Sequence, residues 1–107
     1  MAGFAVVHPL VAGRQYSSIA RESVLQAQGQ WIIQFDIINH EAKDVNYKLV
    51  WVGSGETSTE NVMAGQGQIY TYIHHIYLNT LKEGIVNLTI YKEGDTAPFE
   101  QVTYHLN

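Results

Sequence analysis

No cysteine occurs among these 107 residues. That excludes disulfides, thiolate metal sites and cysteine nucleophiles, and it leaves the compartment open, because a cysteine-free domain is stable on either side of a membrane. Charge is also scarce, at 15% of residues against about 25% in an ordinary domain. The six bases, Arg14, Arg21, Lys43, Lys48, Lys82 and Lys92, are scattered, and ten acids outnumber them to give a net charge of −4. No basic stripe exists to follow a phosphate backbone, so nucleic acid is not an expected partner. Apolar runs are only a few residues long, and none is fit to cross a bilayer. The opening run Met1 to Val7 lacks the basic start of a signal peptide, so an export signal or anchor is expected only in a longer parent chain. No segment holds a helical period beyond about two turns. Nor is there a repeat or low-complexity tract.

What the sequence does have is hydrophobic residues, 46% of the chain, arranged with a period of two. Gln30 to Ile38 sets Trp31, Ile33, Phe35 and Ile37 on one side. Val45 to Val52 does the same with Val45, Tyr47, Leu49 and Trp51. Both apolar sets are expected to face a core. Glu56 to Met63 is polar and β-branched, as a short edge strand is. Ile69 to Tyr77 is a further strand of open facing, with Ile69, Ile73 and Tyr77 on one side and Tyr70, Tyr72 and Ile76 on the other. Ile85 to Lys92 and Phe99 to Leu106 complete the set, joined through a tight-hairpin signal at Glu93-Gly94-Asp95. Upstream, Phe4 to His8 and Ser23 to Gln26 are strand candidates, and Gly13 to Ala20 reads as loop. The expectation is an all-β chain: one antiparallel, immunoglobulin-like (fibronectin-like) β-sandwich of about seven strands over residues 1–107, with 1–22 as a lead-in. In that order Trp31 and Trp51 lie in opposite sheets and meet in the core. The missing cysteines exclude the antibody-type inter-sheet disulfide.

The run Ile37-Ile38-Asn39-His40-Glu41 and the following Val45-Asn46-Tyr47 resemble the I-x-N-H-E-x-x-x-V-N-Y stretch of a prokaryotic membrane-protein family of unknown function. Those proteins carry an extracytoplasmic immunoglobulin-like domain after transmembrane helices. Leu81-x-x-Gly84 with Asn87 to Lys92 resembles that family and also bacterial cell-adhesion-related immunoglobulin-like domains. The resemblance covers most of residues 4–93 and implies a non-enzymatic domain of the cell envelope. It implies no catalytic residues.

Candidate chemistry is sparse. His40-Glu41-Ala42-Lys43-Asp44 stops one residue short of H-E-x-x-H, and its flanks are strands where a zinc protease needs a helix. The oxygens of Asn39, Glu41 and Asp44 form a cation candidate on that loop, while the loop itself reads as the connection between the two sheets. His74 and His75 are adjacent on a strand, point to opposite faces and cannot share a metal. His8 and His105 lie near opposite chain ends, where pairing of the first and last strands could bring them together. Ser54 in Gly53-Ser54-Gly55 is not the G-x-S-x-G of a nucleophile elbow. Seven tyrosines are many for this length. Tyr70, Tyr72 and His74 share one face, and if exposed they would make a stacking surface for a sugar or a protein. No cofactor and no catalytic residue is expected. An accessory or interaction domain ranks first, a carbohydrate-binding module using Tyr and Trp second, a small metal-dependent enzyme third. Partners are protein or glycan, with a homodimer through an uncovered edge strand as a further expectation.

Overall fold

A computed structural model describes residues 16–53, 55–80 and 83–106. Seven strands form two antiparallel sheets: β1 (Ser17–Ala27), β2 (Gln30–Asn39), β3 (Val45–Gly53), β4 (Glu56–Ala64), β5 (Ile69–Tyr77), β6 (Ile85–Lys92) and β7 (Glu100–His105). One sheet has the order β1-β2-β5 and the other β4-β3-β6-β7. This is the expected immunoglobulin-like β-sandwich, with the fourth strand paired to the third rather than to the fifth. Among the described residues no helix is long and apolar enough to cross a membrane.

The inner faces are those that the alternation implies. Ile33, Phe35 and Ile37 of β2 meet Val45, Tyr47, Leu49 and Trp51 of β3, and Val86, Leu88 and Ile90 of β6 fill the layer beside them. Each such side chain contributes roughly 1.5–3 kcal/mol by leaving water. The ambiguous strand, β5, turns Tyr72, His74 and Ile76 inward and leaves Ile69 and Ile73 outside.

β1 corrects the expectation of loop over Gly13 to Ala20 for its part from Ser17 to Ala20, Gly13 to Gln15 lying outside the described residues. It begins at Ser17 and pairs with β2 from Ser17↔Asn39 to Ala27↔Gln30. The register shifts between Ala20 and Ser23, where Arg21 takes φ 54. Such a bulge changes the phase of the strand. Ile19 pairs with Ile37 and Val24 with Ile33, both opposite inward residues of β2, although they are five apart. No single alternation runs through the strand, so the sequence shows only a fragment of it. Gln28 and Gly29, at φ 53 and 76, close the β1–β2 hairpin as a two-residue turn. The β6–β7 hairpin turns tightly, Asp95 N–H donating to Lys92 C=O at 3.0 Å, but its connection runs on to Phe99 before β7 begins. The strand candidate Phe4 to His8 lies outside the described residues, as does His8.

Candidate functional site

The stretch Asn39 to Asp44 carries the chain from one sheet to the other, and its polar groups fasten that crossing. Asn39 is fully buried at the end of β2. Its Oδ1 accepts the Glu41 N–H at 2.8 Å, and its Nδ2 donates to the carbonyls of Lys43, Ala64 and Gly65 at 2.8–3.0 Å. One carboxamide thus serves two connections, residues 40–44 and 65–68, whose backbone groups need partners, although the Gly65 carbonyl also accepts the Gln68 N–H at 2.9 Å. Asp44 Oδ1 accepts the Gln66 N–H at 2.9 Å across the same gap. Glu41 points away from both. Its Oε2 accepts from Ser17 Oγ at 2.9 Å and from Lys92 Nζ at 3.0 Å. Since Ser17 gives its one proton to Glu41, Tyr47 Oη must be the donor in the 2.7 Å contact with Ser17 Oγ. Burial pushes the Glu41 carboxyl up, but the hydrogen bonds and charge of Lys92, with Ser17 and Lys43, outweigh it and hold the group below its ordinary range. His40 stacks on Tyr16 at 4.3 Å and meets Ser18 Oγ at 3.2 Å. The cation candidates Asn39, Glu41 and Asp44 therefore share a loop but serve three different sets of protein partners. Among the described residues, no group of three His, Asp or Glu side chains is placed to hold a metal ion.

The second cluster lies between the sheets on the flank bounded by β4 and β5. Trp51 and His74 stack with centroids 4.1 Å apart and planes 7° from parallel. Tyr72 lies beside both. Trp51 Nε1 donates to Tyr72 Oη at 2.9 Å, and Tyr72 Oη donates to the Glu60 carboxylate. The tyrosine has no second proton, so the 3.2 Å contact with His74 Nδ1 is a hydrogen bond donated by the imidazole. Proton accounting thus fixes the Nδ1–H tautomer and leaves Nε2 an acceptor. Burial pulls the His74 pKa below its ordinary value despite the attraction of Glu60, so the ring is neutral at pH 7. Burial, then the Glu60 contact, push the Tyr72 hydroxyl well above its usual range. The opposite flank repeats the device: Tyr104 Oη, from β7, donates to Glu22 of β1 at 3.0 Å.

Of the sequence-derived surface Tyr70, Tyr72 and His74, the first is 36% exposed and the second only 3%. Trp51 is also 3% exposed, with one face taken by His74. The three share the inner side of β5, but only Tyr70 reaches outward as a stacking group. Sequence reasoning missed Glu60, Ser17 and Lys92. Their partners lie 12 to 51 residues away, and no local pattern marks them.

The outer face of the three-stranded sheet is unlike either cluster. Ile69 and Ile73 of β5 are 58% and 50% exposed, and Leu25 of β1 is 59% exposed. Ile38 and Ile32 of β2 lie half-buried between these strands. Two polar contacts interrupt them: Asp36 accepts from Thr71 Oγ1 at 2.8 Å and Arg21 Nε at 2.9 Å, and His75 Nδ1 meets Gln30 Oε1 at 3.1 Å.

No protein-family model and no curated protein matches the chain. Among solved structures it is similar to β-glucosidase 3B from Thermotoga neapolitana in complex with α-D-glucose, with a TM-score of 0.54, 8% identity, and 88% of this chain aligned to 16% of that one. A β-glucosidase from Streptomyces venezuelae, in complex with D-glucose, aligns at TM-score 0.49 and 8% identity, over 88% of this chain and 15% of that chain. The chain thus spans about one-sixth of the glycosidases it matches. At this identity the likeness is one of fold: the same sandwich stands as a minor part of a much longer protein.

Proposed function

We propose that the chain is a non-enzymatic, immunoglobulin-like accessory domain that works through its sheet surfaces as part of a larger cell-envelope protein. One observation carries the reading. Glu41, Glu60, Tyr72 and His74 are engaged in contacts between the two sheets, whereas the outer face of β5 presents Ile69 and Ile73 to solvent beside Thr71 and His75. Exposed apolar groups on a small domain are the usual mark of a contact surface. The resemblance of Asn39-His40-Glu41 and Val45-Asn46-Tyr47 to the membrane-protein family supports the envelope placement, and occurrence of the fold within longer chains supports the accessory role.

Carbohydrate binding is the second reading, favoured by Tyr70 alone among the three aromatic-face residues. A glycan array separates the two. The accessory reading expects no signal that Tyr70→Ala abolishes. A signal lost in that variant replaces it with the second reading. Stoichiometric zinc or calcium in the purified protein, bound with a turnover that chelation removes, overturns the non-enzymatic assignment altogether.

A further inference from the structure

Among the described residues the sandwich has four sheet edges, and three are guarded. β1 carries a bulge at Arg21, which turns its edge, and a charged Arg21-Glu22 pair. β4 is polar from Glu56 to Asn61 and bears Glu56 and Glu60 along that stretch, with Val62, Met63 and Ala64 at its end. β7 is only six residues long and begins with Glu100. Short strands, charges and bulges are the devices that keep a free edge from pairing with another chain. β5 has none of them. It runs nine residues in unbroken register with β2, contains neither glycine nor proline, and carries no acid, lysine or arginine. Among the described residues, β2 is its one strand partner.

We infer that β5 pairs with β5 of a second copy, antiparallel about a two-fold axis through Ile73, making a continuous six-stranded sheet. The inference rests on the reading of the domain as one that works through its surfaces, and it names the partner. The sequence of β5 is self-complementary about that axis. Ile73 faces Ile73 of the second copy, Tyr72 faces His74, Thr71 faces His75, and Tyr70 faces Ile76. Side chains directly opposite across an antiparallel pair lie on the same face. Outer residues therefore meet outer residues, Ile73 with Ile73 and Thr71 with His75, while the inner pairs set Tyr70 beside Ile76 and Tyr72 beside His74. Aromatic against β-branched is a favourable cross-strand match, and no like charges oppose. A chain of net charge −4 repels its own copy, and β5 is the strand on which that repulsion has no local charge to act through. The contact is isologous and uses up the edge it employs. With the other edges guarded, it closes at two copies and does not run on into a fibre.

The cysteine-free sequence makes the register directly testable. Opposed Cα atoms in an antiparallel pair lie about 4.5–5.5 Å apart, within the span a disulfide bridges. Ile73→Cys is expected to cross-link to a covalent dimer under mild oxidation roughly tenfold faster than Val52→Cys, an exposed control on β3, because pairing raises the local thiol concentration. Thr71→Cys alone and His75→Cys alone are expected to match the control, while a mixture of the two cross-links between unlike chains. The unmodified protein should sediment as a concentration-dependent dimer, and Ile73→Lys as a folded monomer by circular dichroism. A monomer at high concentration, with Ile73→Cys no faster than Val52→Cys, overturns the inference. So does equal cross-linking of Thr71→Cys and Ile73→Cys. A monomer whose β5 amides resist hydrogen exchange also overturns it, because the edge is then filled from within the chain. None of these results alters the glycan-array outcome, so the pairing and the accessory reading fail separately.

Discussion

The two sheets obey the same rule inside and differ outside in where their polar contacts lie. On the outer face of β4-β3-β6-β7, Lys48 lies over the Tyr91 ring at 4.9 Å, Thr103 donates to Asn87 at 2.7 Å and Asn46 donates to Glu93 at 2.8 Å. On the outer face of β1-β2-β5, Ile69, Ile73 and Leu25 are exposed, with the Asp36 clasp and the Gln30–His75 contact among them. Core formation requires apolar groups on one face of each sheet only. It accounts for Ile33, Phe35, Leu49 and Trp51, and it says nothing about Ile69, Ile73 or Leu25. Val52, Met63 and Ile85 of the other sheet are likewise exposed, so what sets β5 apart is that its exposed Ile69 and Ile73 lie on a strand with no acid, lysine or arginine.

The comparison depends on the sheets being held as a pair, and Asn39 is the residue that holds them. Asn39→Ala should produce the largest loss of stability among the changes considered, about 3 kcal/mol, because it removes the two amide protons shared by the Lys43, Ala64 and Gly65 carbonyls and the acceptor of the Glu41 N–H at once. Urea denaturation measures it. Asn39→Asp should be nearly as damaging, since a carboxylate cannot donate to the carbonyls of Lys43, Ala64 and Gly65. A loss below about 1 kcal/mol for Asn39→Ala would mean that water replaces the carboxamide and that the connection is not the fastening.

Much of this division is legible in the sequence, and the illegible part has physical causes. β2, β3, β5 and β6 are readable nearly to the residue because their alternation is uninterrupted. β1 is half-hidden because a bulge shifts its phase. The facing of β5 is open in the sequence because both sides of that strand are apolar or aromatic, which is itself the signature of its exposed outer face. The common face of Tyr70, Tyr72 and His74 follows from period two. Their burial does not, since Tyr72 is covered from the opposite sheet by Trp51 and Glu60. The role of Asn39 to Asp44 as the crossing is readable from its flanks. The Ser17–Glu41–Lys92 cluster is not, because it joins residues as far as 51 apart in sequence.

The two tryptophans sharpen the contrast at the level of single atoms. Trp51 donates its indole N–H to Tyr72, whereas the Trp31 indole nitrogen is buried without a hydrogen-bond partner. Trp51→Phe loses that bond and part of the stack on His74, and should cost about 1–2 kcal/mol. Trp31→Phe removes a buried donor that has nothing to donate to, which offsets the packing it forfeits. Its stability should stay within about 0.5 kcal/mol of the parent. Equal costs in urea denaturation would show that the Trp31 nitrogen finds a partner in solution.

The smallest effect concerns pH at the flank between β4 and β5. Burial holds the His74 pKa below the 6.5 of a free imidazole. The charged and titratable groups that act on it are Glu60 from β4 and His75 from its own strand, with the Tyr72 hydroxyl in contact. The unfolded chain therefore binds a proton at a higher pH than the folded one does. Stability contributed by the neutral ring is complete above about 6.5 and is lost as pH falls from there through the lower folded value. Glu41 acts in a separate window. Its folded pKa lies below 4.5, so its contribution disappears only under more acidic conditions. Comparing urea midpoints at about pH 7.5 and 5.5 leaves out Asp and Glu side chains of ordinary pKa, which stay ionised across that interval. The difference between the parent and a His74 variant then separates His74 from the other four histidines and from Glu100, which burial pushes up. His74→Phe keeps an aromatic ring against Trp51 but cannot take up a proton. The parent should lose stability across the interval, and the variant should lose less. If the two fall in parallel, the acid sensitivity belongs to another group, and the neutral imidazole contributes nothing that a plain ring does not.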